Sequence, residues 1–269
     1  MPGPDRDDPT IRRALVTGAS AGLGEEFARQ LAACGTELVL VARREDRLDA
    51  LAAHLRAAGR TVEVLPADLA TDGGRRPVEE RLADTARPVD LLVNNAGFGA
   101  YGDVADLPAD RQQAMVEVNV VAPMRLARAA LPGMLARGKG GIVNVASTAA
   151  FQPDPHAAVY GASKAFVLSF SQALHEEVAD AGVRVLALCP GITPTEFQEV
   201  AEISVPLPDA AVTSAEQVVR AGLRAFARRR AVAVPGLANR VTAAAASSGP
   251  AVLSRRISGL AHRAFTGGR

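Results

Sequence analysis

Tyr160 and Lys164 are the two side chains of this sequence whose types and spacing best suit proton transfer. They lie four residues apart in a stretch of helical period, so both project from one face of a predicted helix. An unperturbed tyrosine has a pKa of about 10, and a nearby ammonium favours the phenolate, each unit of lowering being worth about 1.4 kcal/mol. We therefore predict that Tyr160 is a general acid–base group and that Lys164 lowers its pKa.

Ser147 adds weight to this pair, because the spacing of Tyr160 and Lys164 is common by itself. It follows an apolar run, residues 141–146, that predicts a strand, and it precedes Tyr160 by 13 residues. In open α/β sheets, ligands bind beyond the carboxyl ends of the strands, which is where Ser147 would lie. We expect its hydroxyl to hold a substrate oxygen, as a donor in an oxyanion site does.

A glycine-rich segment, residues 17–24 (TGASAGLG), connects the first predicted strand to a helix. Glycines at such a turn let backbone N–H groups approach a pyrophosphate at the positive end of the helix. A tight turn that binds nothing is the alternative. The strand before the turn and the helix after it favour dinucleotide binding, for which the candidate residues are Gly18, Ser20, Gly22, Leu23 and Gly24.

Arg43 and Arg44 end the second predicted strand, and they bear on which dinucleotide binds. NAD-binding sites place an acid there against the ribose, whereas an arginine accommodates the 2′-phosphate of NADP. This strand end carries no acid, and Arg43 offers a planar, permanently charged fork for a phosphate. Two arginines that simply face water at a helix start are the alternative. The residues favour NADP(H), with Arg43 at the 2′-phosphate.

Short apolar runs alternate with stretches of helical period along the chain. Continuous apolar strands separated by helices are typical of a parallel sheet that is covered on both faces. We therefore predict an α/β fold, a Rossmann-type doubly wound parallel sheet with helices on both faces, in a single domain. The predicted strands are residues 14–17, 38–42, 61–65, 90–93, 141–146, 183–188 and 231–234, and the predicted helices are residues 22–34, 109–137 (interrupted near Pro123 and Pro132), 157–180, 214–230 and 241–264.

The domain organisation follows from shifts in composition. We predict a flexible N-terminus at residues 1–10, an NAD(P)-binding catalytic domain at residues 11–235 with a proline-rich loop at 192–213, and a basic, Ala-rich helical tail at residues 236–269. Ten arginines and one acid lie between residue 211 and the C-terminus, a net charge of +9 that leaves −8 on residues 1–210. A solvated surface explains this charge, and peripheral contact with an anionic membrane is the alternative.

The overall composition excludes several classes of protein. With 48% hydrophobic and 22% charged side chains and a net charge of +1, the chain resembles neither a disordered protein nor a nucleic-acid binder. Cys34 and Cys189 are too few for a disulfide framework, and the four histidines lack ligand spacing, so we expect no metal. The N-terminus lacks the apolar core of a signal peptide, and no apolar run reaches the about 18 to 20 residues that span a bilayer, so we expect a cytoplasmic location.

Together these motifs resemble those of the short-chain dehydrogenase/reductase family, in its single-domain branch. The resemblance implies hydride transfer between a nicotinamide and a carbonyl or alcohol carbon. It also implies that Asn119 anchors a water of the proton relay and that Lys164 binds the nicotinamide ribose. The matching features are the glycine spacing G-x-x-x-G-x-G, the NNAG run at residues 94–97, the ordered set Asn119, Ser147, Tyr160 and Lys164, and the pair Pro190 and Gly191 after the sixth strand.

The same resemblance implies further contacts with the dinucleotide. Asp68 and Leu69, after the third strand, would border the adenine. Residues 95–97 of the NNAG run would border the adenosine ribose. The remaining cofactor candidates are Asn95, Ala96, Gly97, Tyr160, Lys164, Pro190, Gly191 and Thr193.

Three segments, residues 98–102, 148–157 and 192–208, would line the space over the nicotinamide. Their side chains are mostly apolar, so we predict a lipophilic ketone, aldehyde or alcohol as substrate. Packing of these side chains onto the domain is the alternative. The candidate substrate residues are Phe98, Phe151, His156, Ile192 and Phe197.

Within the family, the runs around these segments are similar to those of broad bacterial oxidoreductases related to 3-ketoacyl and steroid reductases. A preference for NADP(H) favours reduction. Family members pair their two long helices, which implies a homodimer or homotetramer here.

Three other functions compete with this interpretation. A non-catalytic NADP(H)-binding sensor of the same fold is disfavoured because all four catalytic residues are present. An NAD-dependent alcohol dehydrogenase would follow if the argument from Arg43 failed. A sugar-nucleotide epimerase of the family's longer branch is disfavoured by the glycine spacing and by the lack of a larger C-terminal domain.

Overall fold

The computed structural model describes residues 11–194, 196 and 213–248, and in these residues strands and helices alternate. The strands are β1 (Arg13–Thr17), β2 (Glu37–Ala42), β3 (Val62–Pro66), β4 (Leu91–Asn94), β5 (Gly140–Val145), β6 (Val183–Leu188) and β7 (Val232–Ala233). The α-helices are α1 (Gly22–Ala33), α2 (Glu45–Ala57), α3 (Asp72–Ala83), α4 (Ala109–Val116), α5 (Ala122–Ala136), α6 (Ala158–Val178), α7 (Ala215–Ala227) and α8 (Leu237–Ser248). A π-helical turn, Glu117–Val121, joins α4 to α5, and 3₁₀ turns occupy Thr148–Phe151 and Ala179–Ala181.

The strands form one sheet in the order β3-β2-β1-β4-β5-β6-β7, with every neighbouring pair parallel. Val16 of β1 lies between Leu40 of β2 and Val93 of β4, so the strand order reverses at β1. At such a reversal, the loops that follow the two central strands diverge and leave a crevice at the carboxyl edge of the sheet. The predicted Rossmann-type doubly wound α/β fold is therefore confirmed.

Each face of the sheet is covered by its own layer of helices. On one face α1, α2 and α7 pack through side chains such as Phe27, Leu48 and Val218. On the other face α3, α5 and α6 pack through a second cluster that includes Leu126 and Leu174. Because both faces are buried, the strands are apolar at consecutive positions, which explains the runs seen in the sequence.

The long helix predicted at residues 109–137 is interrupted at one place rather than two. The π-helical turn Glu117–Val121 separates α4 from α5, and Pro123 is the second residue of α5. A proline fits the first turn of a helix, where its missing N–H costs little. Pro132 lies inside α5 without ending it, so the expected interruption there is wrong.

The C-terminal helix begins earlier than predicted. Helix α8 starts at Leu237 rather than at residue 241, and the part of the prediction beyond Ser248 falls outside the described residues. Ala243 of α8 is buried, whereas Leu237 and Val241 are exposed. The predicted N-terminus 1–10 and most of the loop 192–213 also lie outside the described part of the chain. None of the described helices combines the length and the apolar character needed to cross a bilayer.

Candidate active site

Thr17, at the end of β1, joins the loops on either side of the crevice. Its Oγ1 donates to the carbonyl oxygen of Val93 at 3.2 Å and accepts from the N–H groups of Asn95 and Ala96, each at 3.0 Å. The Asn95 amide Nδ2 donates back to the carbonyl oxygen of Thr17 at 3.0 Å. The glycine-rich loop after β1 and the NNAG loop after β4 are thus held together by one hydroxyl and one amide.

Gly24 lets helix α1 approach this loop closely. A Cβ atom on Gly24 would lie 2.1 Å from the carbonyl oxygen of Gly18 and 2.5 Å from Asn95 Nδ2, closer than any side chain allows. Gly18 and Gly22 have φ angles of 66° and 57°, in the left-handed region. Ala21, which precedes α1, offers no side-chain cap to the first N–H groups. The turn therefore has the close backbone approach and the exposed helix start that a pyrophosphate requires.

Arg44, rather than Arg43, contacts the glycine-rich loop. The guanidinium of Arg44 donates to Ser20 Oγ from Nε at 3.2 Å and from Nη2 at 3.0 Å. The Arg43 side chain is exposed and makes no hydrogen bond or ion pair with a described residue. The second arginine of the pair was not a candidate from the sequence, although it was equally visible there. Its position just before α2 directs it toward Ser20.

The other predicted cofactor residues lie in the loops after β3 and β6. Leu69 and Ala96 line one small cavity together with Thr17 and Asn94. Asp68, which is half-buried, accepts from the N–H of Ala70 at 3.1 Å.

The turn after β6 is tied to the loop after β5. The carbonyl oxygen of Pro190 accepts from the N–H of Thr148 at 2.9 Å, next to Ser147. Thr193 is buried, and its hydroxyl donates to the carbonyl oxygen of Gly191 at 3.3 Å. The predicted contacts of these residues with a dinucleotide stay predictions.

Ser147, Tyr160 and Lys164 come together just beyond the carboxyl end of β5. Tyr160 and Lys164 are buried on one face of α6, and Lys164 Nζ lies 5.8 Å from the centroid of the Tyr160 ring. Lys164 Nζ donates to the carbonyl oxygen of Val145 at 2.9 Å. Ser147 is hydrogen-bonded to the Tyr160 hydroxyl, and its Oγ accepts from the N–H of Ala149 at 3.2 Å. This arrangement places a phenol, a hydroxyl and an amine at one edge of the sheet.

Burial governs the ionisation of this group. It raises the pKa of Tyr160 to about 12, while the hydrogen bond from Ser147 acts in the opposite direction. Burial also lowers the pKa of Lys164 to about 8. The net pKa of Tyr160 is raised and not lowered, because removal of the phenolate from water outweighs the other influences; the lowering contribution expected from Lys164 stays a prediction. At neutral pH the phenol keeps its proton and can donate it.

Asn119 fixes the loop that follows the NNAG run. It lies in the π-helical turn, where its Oδ1 accepts from the N–H of Phe98 at 3.1 Å and its Nδ2 donates to the Phe98 carbonyl oxygen at 3.0 Å. Nδ2 also donates to Ser163 Oγ at 3.1 Å. A Cβ on Gly97 would lie 2.9 Å from Asn119 Oδ1 and 3.3 Å from Lys164 Nζ. Gly97 therefore passes between two members of the predicted catalytic set, and the role of Asn119 in holding a water stays a prediction.

The predicted substrate residues do not all lie together. Phe98 packs with Tyr160 and its neighbours, whereas Phe151 packs in a separate group that includes Cys189. Ile192 is 44% exposed at the start of the loop after β6. Phe197, the fifth candidate, is outside the described residues.

His156 belongs to the rim of the site through partners that the sequence did not indicate. Its Nδ1 is hydrogen-bonded to Asp103 Oδ1 at 2.6 Å, and its carbonyl oxygen accepts from the N–H of Gly102 at 2.7 Å. Its φ of 63° is unusual for a residue other than glycine. The ring of Tyr101, in the same loop, lies 6.0 Å from that of Tyr160. No sequence pattern marked Asp103.

Acidic, histidine and cysteine side chains do not gather at this site. Across the residues that the structure describes, no group of three or more of them lies in an arrangement that would hold a metal ion. Cys189 is buried beside Lys164, and burial raises the pKa of its thiol to about 12, so the thiol stays neutral.

A family model and a protein of similar sequence match this chain. The model for the short chain dehydrogenase family matches residues 12–204. The ketoacyl reductase HetN of Nostoc sp. is 33% identical over 198 residues, which make up 73% of this chain and 69% of that protein.

Solved structures share the fold and part of the sequence. A short-chain dehydrogenase from Sphingobium yanoikuyae in complex with NADPH is 41% identical, with a TM-score of 0.81 over 87% of this chain and 92% of that one. The bulky-bulky ketone specific alcohol dehydrogenase from Comamonas testosteroni is 35% identical, with a TM-score of 0.77 over 94% of each chain. A short chain dehydrogenase/reductase from Burkholderia phymatum in complex with NAD is 27% identical, with a TM-score of 0.75 over 87% of this chain and 92% of that one. By its sequence match and its fold, the chain belongs to the short-chain dehydrogenase family.

Proposed function

We propose that the protein is an NADP(H)-dependent oxidoreductase that interconverts a lipophilic ketone or aldehyde and its alcohol, with Tyr160 as the general acid–base group. Family membership makes it a nicotinamide-dependent oxidoreductase of alcohols and carbonyl compounds. The observation that carries the finer proposal is the convergence of Ser147, Tyr160 and Lys164 next to Gly97, at the crevice edge of the sheet.

The loop between β1 and α1 would hold the pyrophosphate. Gly24 lets the start of α1 approach the carbonyl oxygen of Gly18 closely, and the first N–H groups of α1 would point their partial positive charge at the pyrophosphate. Asn95 keeps this loop in place through the carbonyl oxygens of Thr17 and Gly18. The residues present therefore fit a dinucleotide, which supplies or accepts the hydride when bound.

Arg44 and Ser20 are the groups we assign to the 2′-phosphate, with Arg43 exposed beside them. A guanidinium that donates two hydrogen bonds to a loop hydroxyl is fixed in orientation, which favours binding of an anion through its remaining N–H groups. The strand end that would carry an acid in an NAD-binding site carries arginines instead. Similar solved structures hold either dinucleotide, since the Sphingobium protein binds NADPH and the Burkholderia protein binds NAD.

Proton transfer is assigned to the Tyr160 hydroxyl. Its raised pKa keeps the proton on Oη at neutral pH, so that this hydroxyl can donate it to the substrate oxygen. Once the proton has left, the Lys164 ammonium, 5.8 Å from the ring centroid, stabilises the phenolate that remains. Ser147 would hold the substrate oxygen throughout, as a hydrogen-bond donor fixed at the end of β5.

A lipophilic substrate is supported by the residues around the phenol. Phe98, Tyr101 and Met115 pack beside Tyr160, and Ile192 is exposed on the far side of the crevice. Arginine and lysine, which would recognise a carboxylate, are absent from residues 98–102 and 148–157. The names of two similar proteins, a ketone-specific alcohol dehydrogenase and a ketoacyl reductase, point the same way.

Assembly is a further part of the proposal. Val116, Met124 and Phe166 are exposed on α4, α5 and α6, the helices that we expect to pair in a homodimer or homotetramer. Light scattering after size-exclusion chromatography tests this expectation, and a monomer at micromolar concentration contradicts it. Liposome flotation with and without residues 249–269 tests membrane contact through the basic tail.

The proposed function is tested by dinucleotide titrations and by reduction of a panel of aromatic and aliphatic ketones. We expect NADPH to bind more tightly than NADH and to support reduction of bulky ketones. Arg44→Ala removes the proposed phosphate contact, and Arg60→Ala, which changes a partly buried arginine outside this loop, is its control. Equal losses of NADPH and NADH affinity in Arg44→Ala would contradict the assignment of the 2′-phosphate.

A further inference from the structure

Glu196 forms ion pairs with two arginines at the end of β2. Its Oε2 lies 2.9 Å from Arg44 Nη1, and its Oε1 is paired with Arg47 Nη1. Arg44 and Glu196 are 152 residues apart in the sequence, so this contact joins distant parts of the chain. It joins the segment after β6 to the arginine that we assign to the 2′-phosphate.

All three nitrogens of the Arg44 guanidinium are engaged in the structure. Nε and Nη2 donate to Ser20 Oγ, and Nη1 donates to Glu196. Carboxylates and phosphates bind the guanidinium fork in the same way, through oxygens that accept from its parallel N–H groups. The two arginines hold the pKa of the Glu196 carboxyl below its ordinary value, so this carboxylate is ionised at neutral pH. The Glu196 carboxylate thus occupies the side of Arg44 where the proposed site would bind the 2′-phosphate.

We propose that Glu196 is a specificity-determining residue, which competes with the 2′-phosphate of NADP(H) for Arg44 and so weakens the preference of this chain for NADP(H) over NAD(H). The inference rests on the proposed function, because it requires that Arg44 receives the 2′-phosphate. To bind NADP(H), Arg44 must either break its ion pair with Glu196 or bind the carboxylate and the phosphate at the same time. NAD(H) has a hydroxyl at this position and leaves the ion pair intact.

The size of this effect is limited by the exposure of the groups. The side chains of Glu196 and Arg44 are 36% and 42% exposed, and exposed ion pairs contribute little each. Two such pairs, together with repulsion between the carboxylate and the phosphate, predict a change in NADPH affinity of about three- to tenfold. The affinity for NADH should change by less than about twofold, because no anion replaces Glu196 there.

Binding titrations with Glu196→Gln test the proposal. Glutamine keeps the size of the side chain and removes its charge. Glu216→Gln is the matched control, because the Glu216 carboxylate is paired with Arg220 instead. NADPH and NADH are titrated by fluorescence, and 2′,5′-ADP and 5′-AMP by calorimetry, so that the 2′-phosphate alone is compared. We expect Glu196→Gln to tighten NADPH and 2′,5′-ADP while NADH and 5′-AMP are unchanged, and Glu216→Gln to change none of them.

A double variant shows whether the effect passes through Arg44. In an Arg44→Ala background, Glu196→Gln should no longer tighten NADPH binding, because the arginine for which Glu196 and the 2′-phosphate compete has been removed. If Glu196→Gln leaves the ratio of NADPH to NADH affinity unchanged in a parent that prefers NADPH, or weakens both ligands, the inference is wrong and the proposed function stands. If neither the parent nor Glu196→Gln binds 2′,5′-ADP more tightly than 5′-AMP, the proposed NADP(H) site and the inference fail together.

Discussion

Replacing Lys164 with methionine should stabilise the fold while removing the amine from the site. Lys164 is fully buried, and its pKa falls from 10.5 to about 8, which corresponds to about 3 kcal/mol of unfavourable free energy for the charged form. Methionine has a similar length and no charge, but it loses the hydrogen bond to the carbonyl oxygen of Val145, worth about 1 kcal/mol. We expect Lys164→Met to raise the free energy of unfolding by about 2 kcal/mol at pH 7.

The same pKa shift predicts how this gain depends on pH. Below pH 8 the lysine is charged in the folded and the unfolded chain, and the full penalty is present. Between pH 8 and 10.5 the folded chain has lost the proton that the unfolded chain still binds, so the parent gains stability as pH rises. The advantage of Lys164→Met should therefore shrink to about 0.5 kcal/mol at about pH 9.5.

Urea unfolding followed by circular dichroism at several pH values measures both quantities. Lys139→Met is the control, since Lys139 is the only other lysine and its side chain is exposed. This control should differ from the parent by less than about 0.5 kcal/mol at every pH. A Lys164→Met variant that is less stable than the parent at pH 7, or an advantage that does not shrink as pH rises, would refute the reasoning about the buried ammonium.

Two further predictions concern the dinucleotide site. Arg44→Ala should weaken NADPH binding by about 10- to 100-fold, the value of a charge-assisted contact, and should change NADH affinity by less than about twofold. Equal losses of affinity for both dinucleotides in a fluorescence titration would contradict the phosphate assignment. Gly24→Ala should lower the free energy of unfolding by about 1 to 3 kcal/mol and abolish dinucleotide binding, because the added Cβ meets the carbonyl oxygen of Gly18 at 2.1 Å. Gly73→Ala is the control, because nothing lies within 4 Å of the added Cβ, and it should leave the free energy of unfolding unchanged or raise it slightly. An equal loss of stability in both variants would show that the close contact at Gly24 is not the cause.

The parts of the fold that could be predicted are those in which local pattern and tertiary structure agree. The strands are buried on both faces, so their residues are apolar at consecutive positions and mark the strands clearly. Strand β6, for example, begins and ends where predicted. The turn from β1 to α1 could also be predicted from the sequence, because close backbone contacts require its glycines. Pro132 misled the prediction, since a proline within a helix usually ends it and α5 continues through it.

The site was predictable in its residue types but not in its electrostatics. Lysine next to tyrosine suggested a lowered tyrosine pKa, yet the extent of burial, which decides the direction, depends on the whole fold. Arg43 and Arg44 are adjacent in the sequence, and only the start of α2 determines which one reaches Ser20. The partners Asp103 and Glu196 come from distant loops, and no spacing in the sequence could have paired them with His156 and Arg44.

The central claim is that Tyr160 supplies the proton for a carbonyl reduction that uses NADPH. The most direct measurement is a single turnover with NADPH that carries two deuterium atoms at the nicotinamide C4 position and a bulky aromatic ketone, with the alcohol analysed by mass spectrometry. We predict deuterium on the carbinol carbon with the parent, and a rate at least about 100-fold lower with Tyr160→Phe, whose NADPH affinity should stay within about twofold. Failure of the parent to transfer deuterium to any ketone of the panel would contradict the claim. Equal rates for the parent and Tyr160→Phe would also contradict it.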